Sequence, residues 1–390
     1  MSIPLTEDGV FSDYYPSGEL WHEIPYVLGK KEGLAKTYRR NGDVADEIPY
    51  KQDRENGTVK KYYRNGNLKA EISYIDGEKD GVEKQYNENG ALHTEAPWKL
   101  GIRDGAAKEY YENGALKEEV PYKQGKKDGW ERHYFADGTL WLEVPYKQDS
   151  IEGMVTQYYG NGKLFAETPY KQDEKDGIAK KYRDNGQLHT ETPYKQNKKD
   201  GVEKHYDFDD ELCSETPYKQ DELDGTIKSW YSYKDGRLGS EDSYKQGKRH
   251  GFVRHYSEKG QLKEEYSYKN GERHGIDRTY HIYTNFSLFT ETSYNEGELD
   301  GINRSYFDNG KMEKECTYKQ GKLDGLYRRY YSSGILYEEI NYKQGEMDGV
   351  CKGYHDNGQL KYECFYKNGK LDGVEKFYRE NGELEDEKRV

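Results

Sequence analysis

Apolar and polar positions along this chain repeat with one long period. Counting the glycine of a recurring Asp-Gly as position 0, an aromatic stands at position 5, a second glycine at 9, Leu or a close relative at 11, Glu at 14 and another aromatic at 17. The leading glycines run from Gly9, Gly33 and Gly57 to Gly349 and Gly373, sixteen in all, spaced by 24 residues except for two steps of 26. Position 5 is Tyr in fifteen units and Trp230 in the tenth, and position 17 is Tyr or, once, Trp98. The second glycine usually follows Asn, as in Asn41-Gly42 and Asn113-Gly114, and a third turn such as Lys-Gln-Gly closes the unit.

This is the pattern of β-hairpins. Asn-Gly supplies the positive backbone angles that a tight turn needs, and the flanking runs are short, rich in Tyr and aliphatics, and roughly alternating. Glycine recurs too often to leave a helix room. Each unit reads as strand, turn, strand, turn, which predicts about 32 short antiparallel strands. The expected fold is all-β: an elongated array of about sixteen 24-residue hairpins, forming a twisted single-layer sheet or a superhelix. The units cover nearly the whole chain. The expected organisation is one array over residues 1–390, regular over 9–200, irregular over 201–300 and regular again over 301–390.

Two registers are compatible with the columns. A two-residue turn sets position 3, usually Lys or Arg, opposite Glu at 14, which makes a ladder of pairs such as Lys108–Glu119. A three-residue turn with a bulge sets Tyr at 5 opposite Leu at 11. The bulged form is favoured because it gathers the aromatic and Leu columns on one face. It places Cys351 opposite Glu363 and predicts that Cys351 and Cys364 do not pair on gentle oxidation.

Composition changes the picture in one respect. Leu, Ile, Val and Phe make up about 16% of the chain, below the roughly 20% under which highly charged chains are usually disordered. The 41 Tyr oppose disorder, since each can bury a ring while its hydroxyl stays in water. The chain is expected to fold, but not around one deep core. Its net charge of −13 disfavours nucleic acid and anionic membrane as partners. The N-terminus shows no secretory signal, no apolar run is long enough to span a membrane, and Cys213, Cys316, Cys351 and Cys364 form no disulfide framework. These features predict a cytoplasmic, reduced protein.

The unit "DGVEKQYNENGALHTEAPWKLG" resembles the MORN-repeat variant, the form of MORN repeat found in bacterial proteins. The double aromatic, Asn-Gly, Leu, Glu and the closing Tyr-Lys-Asn-Gly-Lys phrase carry the resemblance, which extends over all sixteen units. It implies an elongated single-layer β-sheet that serves as a binding surface, without catalytic residues, in proteins often classed as antitoxin-like. This chain departs from the pattern in placing Pro at position 16 in eight of its first nine units, from Pro25 to Pro217.

The residues themselves point away from catalysis. The chain carries neither a phosphate-binding glycine loop nor a zinc-binding Cys or His-Glu-x-x-His pattern. No enzyme activity, cofactor or metal is expected. His250 and His274 occupy a turn column. Asp207, Asp209, Asp210 and Glu211 replace an Asn-Gly and read as a solvated acidic turn rather than a Ca²⁺ loop. The places where the repeat breaks are the candidates for function, because insertions in repeat arrays often map to the binding face. Both insertions are aromatic, which suggests Trp230, Tyr231, Tyr233, Tyr283, Phe286 and Phe289 as anchors, with Asp207, Asp209 and Asp210 steering a basic surface. The expected partner is a protein, for instance a basic toxin that this chain masks. The alternative is a structural scaffold or surface adaptor.

Overall fold

The computed structural model describes residues 8–231 and 236–389. Every regular element among them is a β-strand, 44 in number, and all the pairings that are defined run antiparallel. No helix long and apolar enough to cross a membrane occurs among the described residues. Two compact units divide the chain: Met1–Leu188 with Tyr194–Asn197, and His189–Pro193 with Lys198–Val390.

One repeat of the first unit shows how the columns act. The strand Gly105–Tyr110 pairs with Leu116–Lys123, which turns back through the two-residue strand Lys126–Lys127 and then pairs with Gly129–Tyr134. The short third strand was not foreseen from the sequence, and its twelve copies account for the whole excess over 32. At the hairpin tip the Tyr111 N–H donates to the Ala115 carbonyl and the Gly114 N–H to the Tyr111 carbonyl, both at 2.9 Å. With Gly114 at φ +83°, this is the three-residue turn with glycine in the left-handed region.

Both proposed registers hold, because every hairpin whose pairing is defined contains a second bulge. Tyr110 faces Leu116, Lys117 is then skipped, and beyond it Lys108 faces Glu119. The same shift recurs in hairpin after hairpin of both units, for example at Thr37/Tyr38 and Arg329/Tyr330. The expectation that Cys351 faces Glu363 is therefore corrected: Cys351 lies opposite Cys364, and Glu363 opposite Lys352. The skipped residue at position 12 turns toward position 6 at the tip, where the two pack as Tyr15 on Trp21 (5.5 Å between ring centroids), Tyr159 on Phe165 (5.0 Å) and Tyr331 on Tyr337 (5.1 Å). That packing gives the extra residue a place and opposes slippage of the strand.

Side chains at positions 2 and 15 alternate onto one face and form the buried column. Val59, 3% exposed, sits cross-strand from Ile72 with Ala70, Ile48 and Tyr74 around it. In the second unit Ile340, Cys351 and Cys364 form a similar cluster. Fully burying such an aliphatic is worth roughly 1.5–3 kcal/mol. Few side chains reach full burial, so hydrogen bonds between successive repeats matter as well. The Tyr110 hydroxyl donates to Glu95 at 2.9 Å, the Tyr111 hydroxyl to the Tyr134 carbonyl at 2.7 Å, and the Asn113 amide to the Ala136 carbonyl at 2.8 Å. Burial first, then the Glu95 carboxylate, push the Tyr110 phenol up to about 12, which keeps it a donor.

The opposite face carries the charged ladder. In the second unit it runs unbroken as Glu241, Arg254, Glu265, Arg278, Glu291, Arg304, Glu315, Arg328 and Glu339, with nitrogen–oxygen distances from 2.7 to 3.9 Å. Glu265, Glu291 and Glu315 thus each stand between two guanidinium groups. Single exposed pairs contribute about 0–1 kcal/mol, and a network contributes more reliably.

Candidate binding surfaces

The irregular repeats of the second unit build two different tips. In the first, Trp230 faces Leu238 and Tyr231 continues the strand, both half-buried. The Tyr231 hydroxyl donates to the Tyr256 carbonyl at 2.9 Å, and its ring lies against Gly239. Tyr231 therefore takes the place that Tyr111 holds in a regular repeat. Tyr233 lies outside the described residues.

The second tip projects. Tyr283 is 94% exposed and Phe289 42% exposed, while Phe286 is half-buried at φ 57°. Asn285 keeps the inter-repeat bond of the regular units, donating to the Asp308 carbonyl at 3.0 Å. The added residues are accommodated before it, in the segment that carries Tyr283. Beside this tip lies a surface hollow of about 470 Å³ lined by His281, Phe289, Tyr306, Phe307, Asp308 and Glu313, among others. His281 is held there by the Tyr306 carbonyl at 3.0 Å and Asp308 at 2.8 Å, with the Phe289 ring 4.5 Å from its own.

The acidic turn has a local structural role. Asp207 accepts from the Asp209 and Glu211 N–H groups at 2.9 and 3.0 Å, and Asp210 takes the glycine's left-handed angle at φ 62°. Asp209 and Asp210 are exposed, and Asp207 is half-buried.

Sequence reasoning missed a larger feature. In the first unit the side chains at position 1, directly after the leading glycine, are exposed and mostly apolar: Val10, Leu34, Val82, Trp130, Met154 and Ile178, between 38% and 63% accessible. Val10, Leu34, Val82, Trp130 and Met154 lie cross-strand from position 16, as in Val82–Pro97, Trp130–Pro145 and Met154–Pro169. Pro97 in turn packs over the next leading glycine. At Gly105 (φ +119°) an added Cβ would stand 2.8 Å from the Pro97 Cγ, so only glycine fits there. The result is an apolar ribbon along the face opposite the buried column. The second unit carries its own series at the same position, with Val202, Phe252, Ile276, Ile302 and Val350 exposed. The signal was available, because alternation puts position 1 beside the Lys/Arg column at 3 and away from the apolar column at 2.

Polar groups also gather on the buried-column face of the first unit. A hollow of about 450 Å³ there is lined by Lys79, Glu83, Trp98, Arg103, Glu118 and Tyr122, among others. Nearby, Glu118, Glu131 and His133 bring one ligand atom each within 4.8 Å of one another. The group is closed by internal pairs: Glu131 contacts Lys127 and lies 2.8 Å from His133. Among the thiols, burial and then the contact with Cys351 push Cys364 up to about 12, and burial raises Cys351 and Cys316. Such thiols remain protonated and weakly nucleophilic near neutral pH.

Tandem β-hairpins, tied to one another by side-chain hydrogen bonds and presenting exposed apolar rows, define a repeat protein of the surface-forming class. The chain belongs to the MORN repeat variant family, which matches twelve stretches from residues 7–27 to 347–368. The four repeats led by Gly129, Gly225, Gly275 and Gly373 fall outside the match, and two of them hold the insertions. No curated protein matches the chain. Solved structures with some likeness include the crystal structure of TcdB2–TccC3 without its hypervariable C-terminal region, at 10% identity over 96% of this chain and 25% of that one, with a TM-score of 0.16. The Tc holotoxin pore of Photorhabdus luminescens shows 10% identity over 95% of this chain and 26% of that one, with a TM-score of 0.13. This chain spans about a quarter of the length of these structures. At such TM-scores the likeness bears on neither fold nor function.

Proposed function

We propose that this protein is a non-enzymatic binding array that masks a basic protein partner, in the manner of a bacterial antitoxin or immunity protein acting in the cytoplasm. The observation that carries the reading is the projecting tip of the second unit: Tyr283, 94% exposed, beside a hollow whose rim combines Phe289 with Asp308 and Glu313. An exposed aromatic next to a shaped hollow is what an interface anchor requires. The carboxylates at the rim and the net charge of −13 favour encounter with a basic surface. A partner that must choose one place along sixteen similar repeats gains selectivity where the array is irregular.

The test is co-expression with the product of whichever small reading frame is found beside the gene. Growth arrest by that product, relieved by this chain and not by its Tyr283→Ala/Phe289→Ala variant, is the expected result. An adjoining product that is harmless and does not co-purify with the chain would favour the scaffold role instead. Rescue that survives the double substitution would move the binding site off this tip.

A further inference from the structure

We propose that the apolar ribbon of the first unit is a self-association surface, on which a second copy of this chain packs ribbon to ribbon. This inference does not depend on the masking function or on the tip of the second unit. The six exposed residues and the prolines between them present roughly 500–700 Å², at the upper end of or beyond the ~300–600 Å² of the largest apolar patch on an ordinary monomer. That area approaches the ~800 Å² per partner of a stable interface. The ribbon is most continuous from Val82 through Ala106, Trp130 and Met154 to Ile178, with Pro97, Pro121, Pro145 and Pro169 alternating between them. It is no remnant of the core, since the buried column occupies the other face.

The rows that border the ribbon identify the occupant. On one side lies the ladder in which Lys108 faces Glu119 and Arg132 faces Glu143, alternating in sign and close to neutral. On the other side lies a row of exposed lysines at position 18, including Lys99, Lys123, Lys147 and Lys171. Alternation along the strand puts positions 14, 16 and 18 on the same face. A second copy turned over about the ribbon's own axis keeps the same repeat spacing and exchanges the two borders. Each lysine row then faces the other copy's ladder, with its column of Glu95, Glu119, Glu143 and Glu167. A basic partner would meet like charge in the lysine row, which a second copy instead sets against the ladder's carboxylates. The second copy also presents an apolar ridge of matching period.

Two copies each carry a net charge of −13, so long-range repulsion opposes an association that apolar contact drives. Raising salt from about 0.1 M to about 1 M shortens the screening length from about 10 Å to about 3 Å and should tighten the dimer. Sedimentation of the full chain at both salt concentrations reads this directly. The expected result is a monomer–dimer equilibrium that shifts toward dimer in high salt. Trp130→Asp/Ile178→Asp should weaken it by at least about thirtyfold, with an unchanged circular dichroism spectrum because both residues are exposed. Lys123→Glu/Lys147→Glu should weaken it as well, and Tyr283→Ala should leave it unchanged. A chain that stays monomeric at both salt concentrations overturns the proposal and leaves the ribbon to a different protein. A dimer indifferent to Trp130→Asp/Ile178→Asp overturns it equally.

Discussion

Lys127→Met isolates what it costs to keep a carboxylate in the buried column. Glu131 is 7% exposed and stands at position 2, cross-strand from Val144, with Val120 next in line beyond the Glu119–Arg132 pair. In the repeat led by Gly57 the same place is filled by Val59, cross-strand from Ile72. Glu131 is tolerated because Lys127, four residues earlier, reaches it while lying 4.7 Å over the Tyr146 ring, and because His133 sits 2.8 Å away. Burial alone would lower the Lys127 amine, yet its contact with Glu131 prevails and raises it. Removing the cation from a buried pair costs about 3–5 kcal/mol. Here the Lys127 side chain is 30% exposed and His133 remains, so about 2 kcal/mol is expected. Lys127→Met/Glu131→Val should recover that loss and match or exceed the wild type, since it installs the arrangement seen at Val59. Stability in an array is local, so a global melting midpoint would dilute the effect. Native-state hydrogen exchange over the strands Leu116–Lys123, Gly129–Tyr134 and Leu140–Lys147 is the suitable assay. A Lys127→Met chain within about 0.5 kcal/mol of wild type, or a double variant less protected than the single one, would refute the reasoning.

Other outcomes follow from the same geometry. At Glu83 and Glu203 burial works to raise the carboxyl, but the bonds from Lys79 in the first case and from Lys199 and Thr192 in the second prevail and lower it. A depressed folded value contributes stability above the unfolded value near 4.5 and loses it as pH falls through the folded one. Protection of the strands Gly81–Tyr86 and Gly201–Tyr206 should therefore drop on acidification below about 4.5, and Glu83→Gln should flatten that drop in its own repeat. Cys351 faces Cys364, but both thiols are buried and held protonated. Diamide should therefore leave the four free thiols intact near neutral pH and cut their number to two only on prolonged treatment at alkaline pH. Cys364→Ser should block that loss; four thiols that persist at alkaline pH would argue against the second bulge. Gly105→Ala should destabilise its repeat by about 1–3 kcal/mol, through strain at positive φ and the clash with Pro97; hydrogen exchange like that of wild type would show that neither constraint is real.

The sequence by itself determined the repeat, the hairpin and the family, because each rests on local physics. Asn113-Gly114 can make its turn without help from the rest of the chain, and glycine every few residues leaves helix no room. The 24-residue period must place equivalent residues in equivalent settings. The ladder was legible for the same reason, since Lys108 and Glu119 lie in one hairpin. What escaped was set by neighbouring repeats. The second bulge at Lys117 depends on position 12 finding a tip residue to pack against, and a single hairpin read in isolation offers two registers of similar merit. Nothing in its local sequence marks Glu131 as buried; only its own strand and its neighbours place it among valines, within reach of Lys127. The ribbon was hidden in a column that varies among Val, Leu, Trp, Met and Ile, with no recurring residue to mark it. Only the paired strands, with the buried column on one face, decide that position 1 points outward. A turn is chosen by a few backbone angles, whereas burial and exposure belong to the sheet that the repeats build together.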